Sequence, residues 1–341
     1  MASITTIDSL EDNLSTPTEG VVRTLAELNG DLLVVGAGGK MGPSLSHMAV
    51  RAIRQAGGNQ RVLAVSRFSD QKVADQLEAW GVETIHGDLL EPDFIQSLPQ
   101  VPNVVYMAGR KFGTDGAESL TWATNAYLPA LVCDHFRTSQ IVAFSTGNVY
   151  PFMPTDGTGS LETDALNPQG EYGMSCLGRE RMLEYFSRKH ETPMAIIRLN
   201  YATELRYGVL VDLAQKVFRQ EEIPLSVGAF NVIWQADANA YTLCTLNHVQ
   251  SPPFVLNVTG PDLIRCRDVV ERFGELMNKT VRFTGSELPV ALHSCSERAF
   301  DLYGKPLTQL DEMVEMTADW VMRGGTSHDK STHFEVADGR Y

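Results

Sequence analysis

The sequence predicts an α/β protein built on a doubly wound parallel sheet, with a smaller lobe behind it, and three observations predict it. Short apolar runs alternate with helical stretches from about residue 30 to about 200, and parallel strands need such crossovers. The first run, Leu32-Leu-Val-Val35, passes directly into a glycine-rich turn, Gly36-Ala-Gly-Gly-Lys-Met-Gly42. After the turn, Leu45, Met48, Ala49, Ala52 and Ile53 recur at helical spacing until Gly57-Gly58 stops the helix. Strand, glycine turn and helix in that order bring backbone N–H groups and a helix N-terminus against a phosphate, where glycine permits the close approach. The unit is Rossmann-type, and a dinucleotide is expected against Gly36, Gly39, Lys40, Met41 and Gly42.

The chain has 341 residues, 43% hydrophobic and 21% charged, which suits one large α/β unit plus a lobe. A formal net charge of −14 without a basic stripe excludes a phosphate-backbone partner such as DNA or RNA. Five scattered cysteines, none in a C-x-x-C pair, suggest neither a disulfide framework nor a metal site. No signal pattern and no apolar run of ~18 residues is present, so a soluble, cytoplasmic protein is expected, not a membrane one.

The remaining elements follow in order. The second strand, residues 61–65, ends at Ser66-Arg67, where an adenosine ribose is read. A carboxylate there would accept from the 2′-hydroxyl of NAD. A hydroxyl and a guanidinium suit a 2′-phosphate instead, so NADP is expected, with NAD possible. Residues 73–80 read as a helix and 82–88 as a third strand ending at Asp88, before Leu89; its carboxylate can accept from an adenine amino group. The fourth strand, 103–109, ends in Ala108 and Gly109, small enough to pass beneath a nicotinamide ribose. Residues 122–136 read as one long helix containing Asn125, 141–145 as a fifth strand running into Thr146, and 193–199 as a sixth.

Beyond Asn200 the rhythm changes, with helices at 209–219, 267–277 and 310–321 and short strands at 231–234 and 254–258. The expected organisation is an N-terminal extension (1–28, loose over its first twenty residues), a dinucleotide-binding domain (29–200, with strands near 231–258 returning to it), a substrate lobe (201–325) and a polar, mobile tail (326–341).

This ordered set resembles the extended short-chain dehydrogenase/reductases, the NAD(P)-dependent sugar epimerase/dehydratase family. It comprises the G-x-x-G-x-x-G turn, Gly87-Asp88, Ala108-Gly109, Asn125, Phe-Ser-Thr-Gly-Asn-Val-Tyr (144–150), Tyr172 and Arg-Leu-Asn (198–200). Ala-Gly-Arg-Lys-Phe-Gly (108–113) is similar to the stretch of UDP-galactose 4-epimerase whose lysine lies near cofactor and substrate, which makes Lys111 a substrate-side candidate. The resemblance implies Tyr172 as catalytic base, also touching the cofactor, with Thr146, or Ser145, bonding the reacting hydroxyl. It also implies a homodimer through paired helices, where Met182, Tyr185 and Phe186 form an apolar stripe.

Two departures stand out. The family places a lysine four residues after the tyrosine, whereas this chain has Cys176, with Arg179 and Arg181 the nearest cations on the helix. The diphosphate-clamping arginine of a later strand is also missing from 228–235, leaving Arg206, Arg265 or His293 for a smaller anion, beside Asn200. The expected function is oxidation or epimerisation of a sugar or sugar derivative through a keto intermediate. A dinucleotide-binding sensor or scaffold without redox chemistry is the alternative.

Overall fold

In the computed structural model, which describes residues 4–111, 116–328, 330, 332 and 334, the apolar runs assemble into a seven-stranded parallel sheet. In chain order the strands are β1 (Leu32–Val35), β2 (Val62–Ser66), β3 (Glu83–His86), β4 (Asn103–Tyr106) and β5 (Gln140–Thr146). They continue as β6 (Met153–Pro154), β7 (Met194–Leu199), β8 (Ala202–Thr203), β9 (Glu222–Pro224), β10 (Ala229–Phe230), β11 (Ile233–Trp234) and β12 (Phe254–Val258). The central sheet runs β12-β7-β5-β4-β1-β2-β3. All four residues of β1 are buried: Leu32 and Val34 pack to one side of the sheet and Leu33 and Val35 to the other. Both faces are therefore helix-covered, which is why the run is uniformly apolar.

The first helices lie on the Leu32 side. Helix α1 (Ile7–Ser15) begins with a Thr6–Ser9 capping box, and α2 (Glu19–Ala26) follows. The loose arm expected at the N-terminus is thus a folded element, because Leu10 and Leu14, one turn apart, are fully buried in the lobe's core. Helix α3 (Gly42–Gln55) buries the predicted Leu45, Met48, Ala49, Ala52 and Ile53. Helices α4 (Gln71–Trp80) and α5 (Pro92–Ser97) complete the first half.

The helix expected over 122–136 is interrupted. Helix α6 (Glu118–Trp122) passes through a π turn, Ala123–Tyr127, into α7 (Leu128–His135). The π turn inserts an extra residue, as helices do near functional sites, and it carries the fully buried Asn125. Helix α8 (Gly170–His190) packs beside it.

Helices α9 (Val209–Phe218), α10 (Gln235–Cys244), α11 (Cys266–Met277), α12 (Glu297–Tyr303) and α13 (Leu310–Met322) follow. Leu210, Phe273, Met313 and Leu10 share a second core. Strand β12 joins the central sheet, but β11 pairs with β8 outside it, so only part of 231–258 returns. Among the described residues no helix is long and apolar enough to cross a membrane.

The tail expected to be mobile is pinned where it is described. The His328 N–H donates to the Arg206 carbonyl at 3.1 Å. Thr332 donates from its backbone N–H and its hydroxyl to Asp212, at 2.8 and 2.6 Å. Phe334 is buried against Phe230, ring centroids 6.2 Å apart. Residues beyond 334, like Phe112 and Gly113 of the resemblance, lie outside the described residues.

Candidate active site

The strand order reverses between β1 and β4, and ligands of open α/β sheets bind outside the carboxyl ends at such a crevice. Gly36 turns there at φ +85°, where an added Cβ would stand 2.5 Å from the Ala108 amide nitrogen. A Cβ on Gly42 would collide with the Ala37 carbonyl, so the loop closes tightly under α3. Among the described residues no side chain caps the first N–H groups of α3, and an uncapped helix N-terminus at the switch point suits an anion. These features fit the pyrophosphate of a dinucleotide.

At the end of β2, Ser66 packs its hydroxyl against the loop, 2.6 Å from the place of a Cβ on Gly38. Arg67 is exposed, and Asp70 is engaged in capping α4 through the Lys72 N–H. Beyond β3, Asp88 accepts from the Leu90 N–H at 2.9 Å, and Leu89 is buried.

The crevice floor is a polar network. Asn125 Oδ1 accepts the Arg110 N–H at 2.8 Å, and its Nδ2 donates to the Arg110 carbonyl and the Ser175 hydroxyl, each at 2.9 Å. Arg179 Nη2 donates to Asn125 Oδ1 at 2.8 Å and Nη1 to the Phe144 carbonyl at 2.9 Å. The Tyr172 hydroxyl is hydrogen-bonded with Thr146 and with Cys176. Burial pushes this phenol well above its usual range, the Cys176 thiol pushes the same way, and Arg179 and Thr146 pull it back. Burial also raises the Cys176 thiol, against the pull of Arg179. Tyr172, Thr146, Asn125 and Gly109 thus converge on one spot, together with Cys176 and Arg179.

Ser145 belongs to a different group. Its hydroxyl donates to Glu180 at 2.5 Å, and Glu180 pairs with Arg198 at 2.8 Å, both nearly fully buried. Arg198 also donates to the Tyr150 hydroxyl at 2.7 Å, which donates to Asn257. The hydroxyl of Ser145 is thereby turned toward a structural ion pair while Thr146 faces Tyr172. Arg206, expected to hold a substrate anion, is instead held between Glu11 at 2.6 Å and Glu204 at 3.0 Å. Arg265 pairs with Asp268 and Glu287, and His293 contacts the Pro154 carbonyl. Asn200 bonds Asn231 at 2.7 Å beneath the crevice.

Two lysines stand near each other beside this network. The amino group of Lys111 is 6.0 Å from the Tyr172 ring centroid and 3.5 Å from the Thr332 carbonyl oxygen. Burial lowers Lys111 to about 8. Lys40 lies over the Tyr207 ring, lowered to about 7 by burial and by repulsion from Lys111 and Lys330. Tyr207, Asp212 and Thr332 carried no signal in the sequence, since each reaches this place only through the tertiary fold.

A doubly wound sheet with a phosphate cradle at its switch point, and a tyrosine–threonine pair beside it, defines a dinucleotide-dependent enzyme of the α/β class. The NAD dependent epimerase/dehydratase family model matches residues 32–202, and the chain belongs to that family. Among solved structures, a dTDP-glucose 4,6-dehydratase from Streptomyces venezuelae with bound NAD is 15% identical, covering 86% of this chain and 97% of that one at a TM-score of 0.73. A UDP-glucuronic acid 4-epimerase variant from Bacillus cereus with NAD is 15% identical (86% and 99% covered, TM-score 0.71). The UDP-glucose 4-epimerase of Thermotoga maritima is 16% identical (86% and 99% covered, TM-score 0.70). In sequence, no curated protein matches the chain.

Proposed function

We propose that the chain oxidises or epimerises a carbinol of a sugar or sugar derivative through a keto intermediate. The observation that carries this reading is the hydrogen bond of Tyr172 with Thr146 at the carboxyl ends of the sheet. When bound, the nicotinamide supplies a hydride acceptor. Tyr172 takes the proton of the substrate hydroxyl and Thr146 donates to the same oxygen, which lowers the cost of the charge that develops there. Asn125 keeps the strand end and the π turn in register beneath them.

Support for NADP comes from Ser66 and Arg67 standing where a carboxylate would select NAD. The solved relatives act on nucleotide sugars by their names. This chain has no arginine over 228–235, and Lys40 and Lys111 flank its crevice, which favours a smaller anionic sugar such as a sugar acid. Leu120, Trp122, Tyr127, Met174 and Tyr185 are exposed apolar residues on neighbouring helices, and they support a homodimer.

The test is turnover. Sugars and sugar acids are offered with NADP⁺ or NAD⁺, and the reduced nicotinamide band and the product's proton spectrum are followed. Tyr172→Phe should abolish turnover and leave dinucleotide binding intact; full activity in that variant sinks the mechanism. Cys176, in the lysine's place, favours a second reading as a dinucleotide-binding sensor. That reading expects binding, no turnover with any sugar, and no effect of Tyr172→Phe.

A further inference from the structure

Tyr172, Cys176 and Arg179 are spaced i, i+4 and i+7 along α8, so they share one face. Helical side chains lean toward the N-terminus of their helix, and a long side chain at 179 therefore covers the turn around 176. Cysteine is short enough to leave that turn open. The guanidinium fills it: a Cβ on Gly109 would stand 2.5 Å from Arg179 Nη2, and the Tyr106 ring centroid lies 5.9 Å from Cζ.

Arg179 is 5% exposed. The acceptors it meets are neutral, namely Asn125 Oδ1 and the Asn125 and Phe144 carbonyls. Among the described residues no carboxylate stands within ion-pair distance of it, and Glu180, its sequence neighbour, is taken by Arg198. A buried cation whose direct hydrogen bonds go only to neutral dipoles, with the Glu180 charge acting on it from beyond ion-pair distance, is expensive to fold around. Its positive charge is therefore available to whatever negative charge forms beside it.

We propose that Arg179 is the positioning residue that stabilises the Tyr172 phenolate, supplying from one turn farther along α8 the positive charge that position 176 lacks, with Cys176 as the spacer. The inference rests on Tyr172 acting as the base. The other titratable and charged groups acting on Arg179 are Cys176 and Glu180 on α8 and Tyr106 on β4, and Lys111, beyond β4, lies 6.0 Å from the Tyr172 ring centroid. Lys111 does not replace Arg179. Burial brings its amino group to about 8, so it loses charge over the alkaline range, where a guanidinium stays cationic. The electrostatics agree in direction, since Arg179 opposes the burial of both Tyr172 and Cys176.

The test uses Arg179→Gln, Arg179→Lys and the charge-relocating double variant Cys176→Lys/Arg179→Gln in the full chain. Two readouts are taken: the rising limb of the pH–rate profile, and the tyrosinate ultraviolet band after a rapid alkaline pH jump, with Tyr172→Phe subtracted. The second needs no turnover, so it decides this inference even if the proposed activity is absent. Arg179→Gln should move both readouts to higher pH by about one unit or more, and the double variant should return them to the parent's range. Tyrosine titration unchanged within a few tenths of a unit in Arg179→Gln overturns the proposal. Should Arg179→Gln not fold, Arg179→Lys decides, since it keeps the charge with fewer donors. Titration near the parent value supports the charge, and a full-unit rise refutes it.

Discussion

Arg179 and Arg110 meet at one atom: Asn125 Oδ1 accepts the Arg179 guanidinium and the Arg110 backbone N–H, each at 2.8 Å. A single amide oxygen thereby ties α8 to the chain just beyond β4, across the π turn. The face of α8 that carries Tyr172 is in this way hydrogen-bonded to the chain at the end of β4.

Two adjacent hydroxyls should separate cleanly. Ser145→Ala removes a donor from the buried Glu180–Arg198 pair and should cost about 1–2 kcal/mol of stability, with turnover within a few-fold of the parent. Thr146→Ala loses the hydrogen bonds with Asn148, should cost a similar amount of stability, and should in addition lower kcat about a hundredfold. Urea melts and initial rates check both. The reverse pattern would move the catalytic hydroxyl to 145.

The exposed Arg67 should set cofactor choice. Calorimetry should show NADP(H) bound more tightly than NAD(H), and Arg67→Asp should invert the order by about tenfold or more, ~1.4 kcal/mol. A parent that already prefers NAD refutes this.

Lys111 gives a pH signature with a definite sign. Its folded value of about 8 lies below the ordinary lysine value of about 10.4. Between those limits the unfolded chain holds the proton more firmly, so stability rises with pH across the window. Below pH 8 both states are protonated and the cost of burying the charge is fully present. Lys111→Met should therefore be the more stable protein at pH 7, by at most about 3 kcal/mol, and the advantage should shrink toward pH 10. Urea midpoints at both pH values decide, and an advantage independent of pH excludes this origin.

Tyr185, more than half exposed on α8, should lie in the contact between two copies. Light scattering should give a dimer mass for the parent and a monomer for Tyr185→Glu at micromolar concentration. A parent that is already monomeric ends the idea.

The central sheet was legible in the sequence because its strands are local apolar runs punctuated by glycine turns, and parallel order follows from the helices between them. Leu32–Val35 and the i, i+3, i+4 face of α3 needed no tertiary information. Asn125 was placed by its motif, but the π turn that aims it inward was not, since nothing in Ala-Thr-Asn-Ala-Tyr (123–127) departs from an ordinary helical composition. The helical N-terminus was hard to place because Ile7, Leu10 and Leu14, though at helical spacing, stand in a short polar stretch, and their burial depends on a lobe assembled from residues far along the chain. Arg206 looked like an anion receptor for the same reason: its partner Glu11 is remote in sequence. Arg179 was visible as a nearby cation. That it is buried, with neutral acceptors around it, required the packing of α8 against the π turn.

The anchoring of Thr332 and Phe334 bears on how the protein is handled. An affinity tag fused after Tyr341 would follow, a few residues on in sequence, Phe334, whose ring is seated in the lobe's core, and Thr332, whose carbonyl lies 3.5 Å from the Lys111 amino group. A tag before Met1 adjoins α1, whose leucines enter the same core. A cleavable tag, removed before assay, is the sound choice at either end, and an inactive fusion protein would indict the tag before it indicted Tyr172.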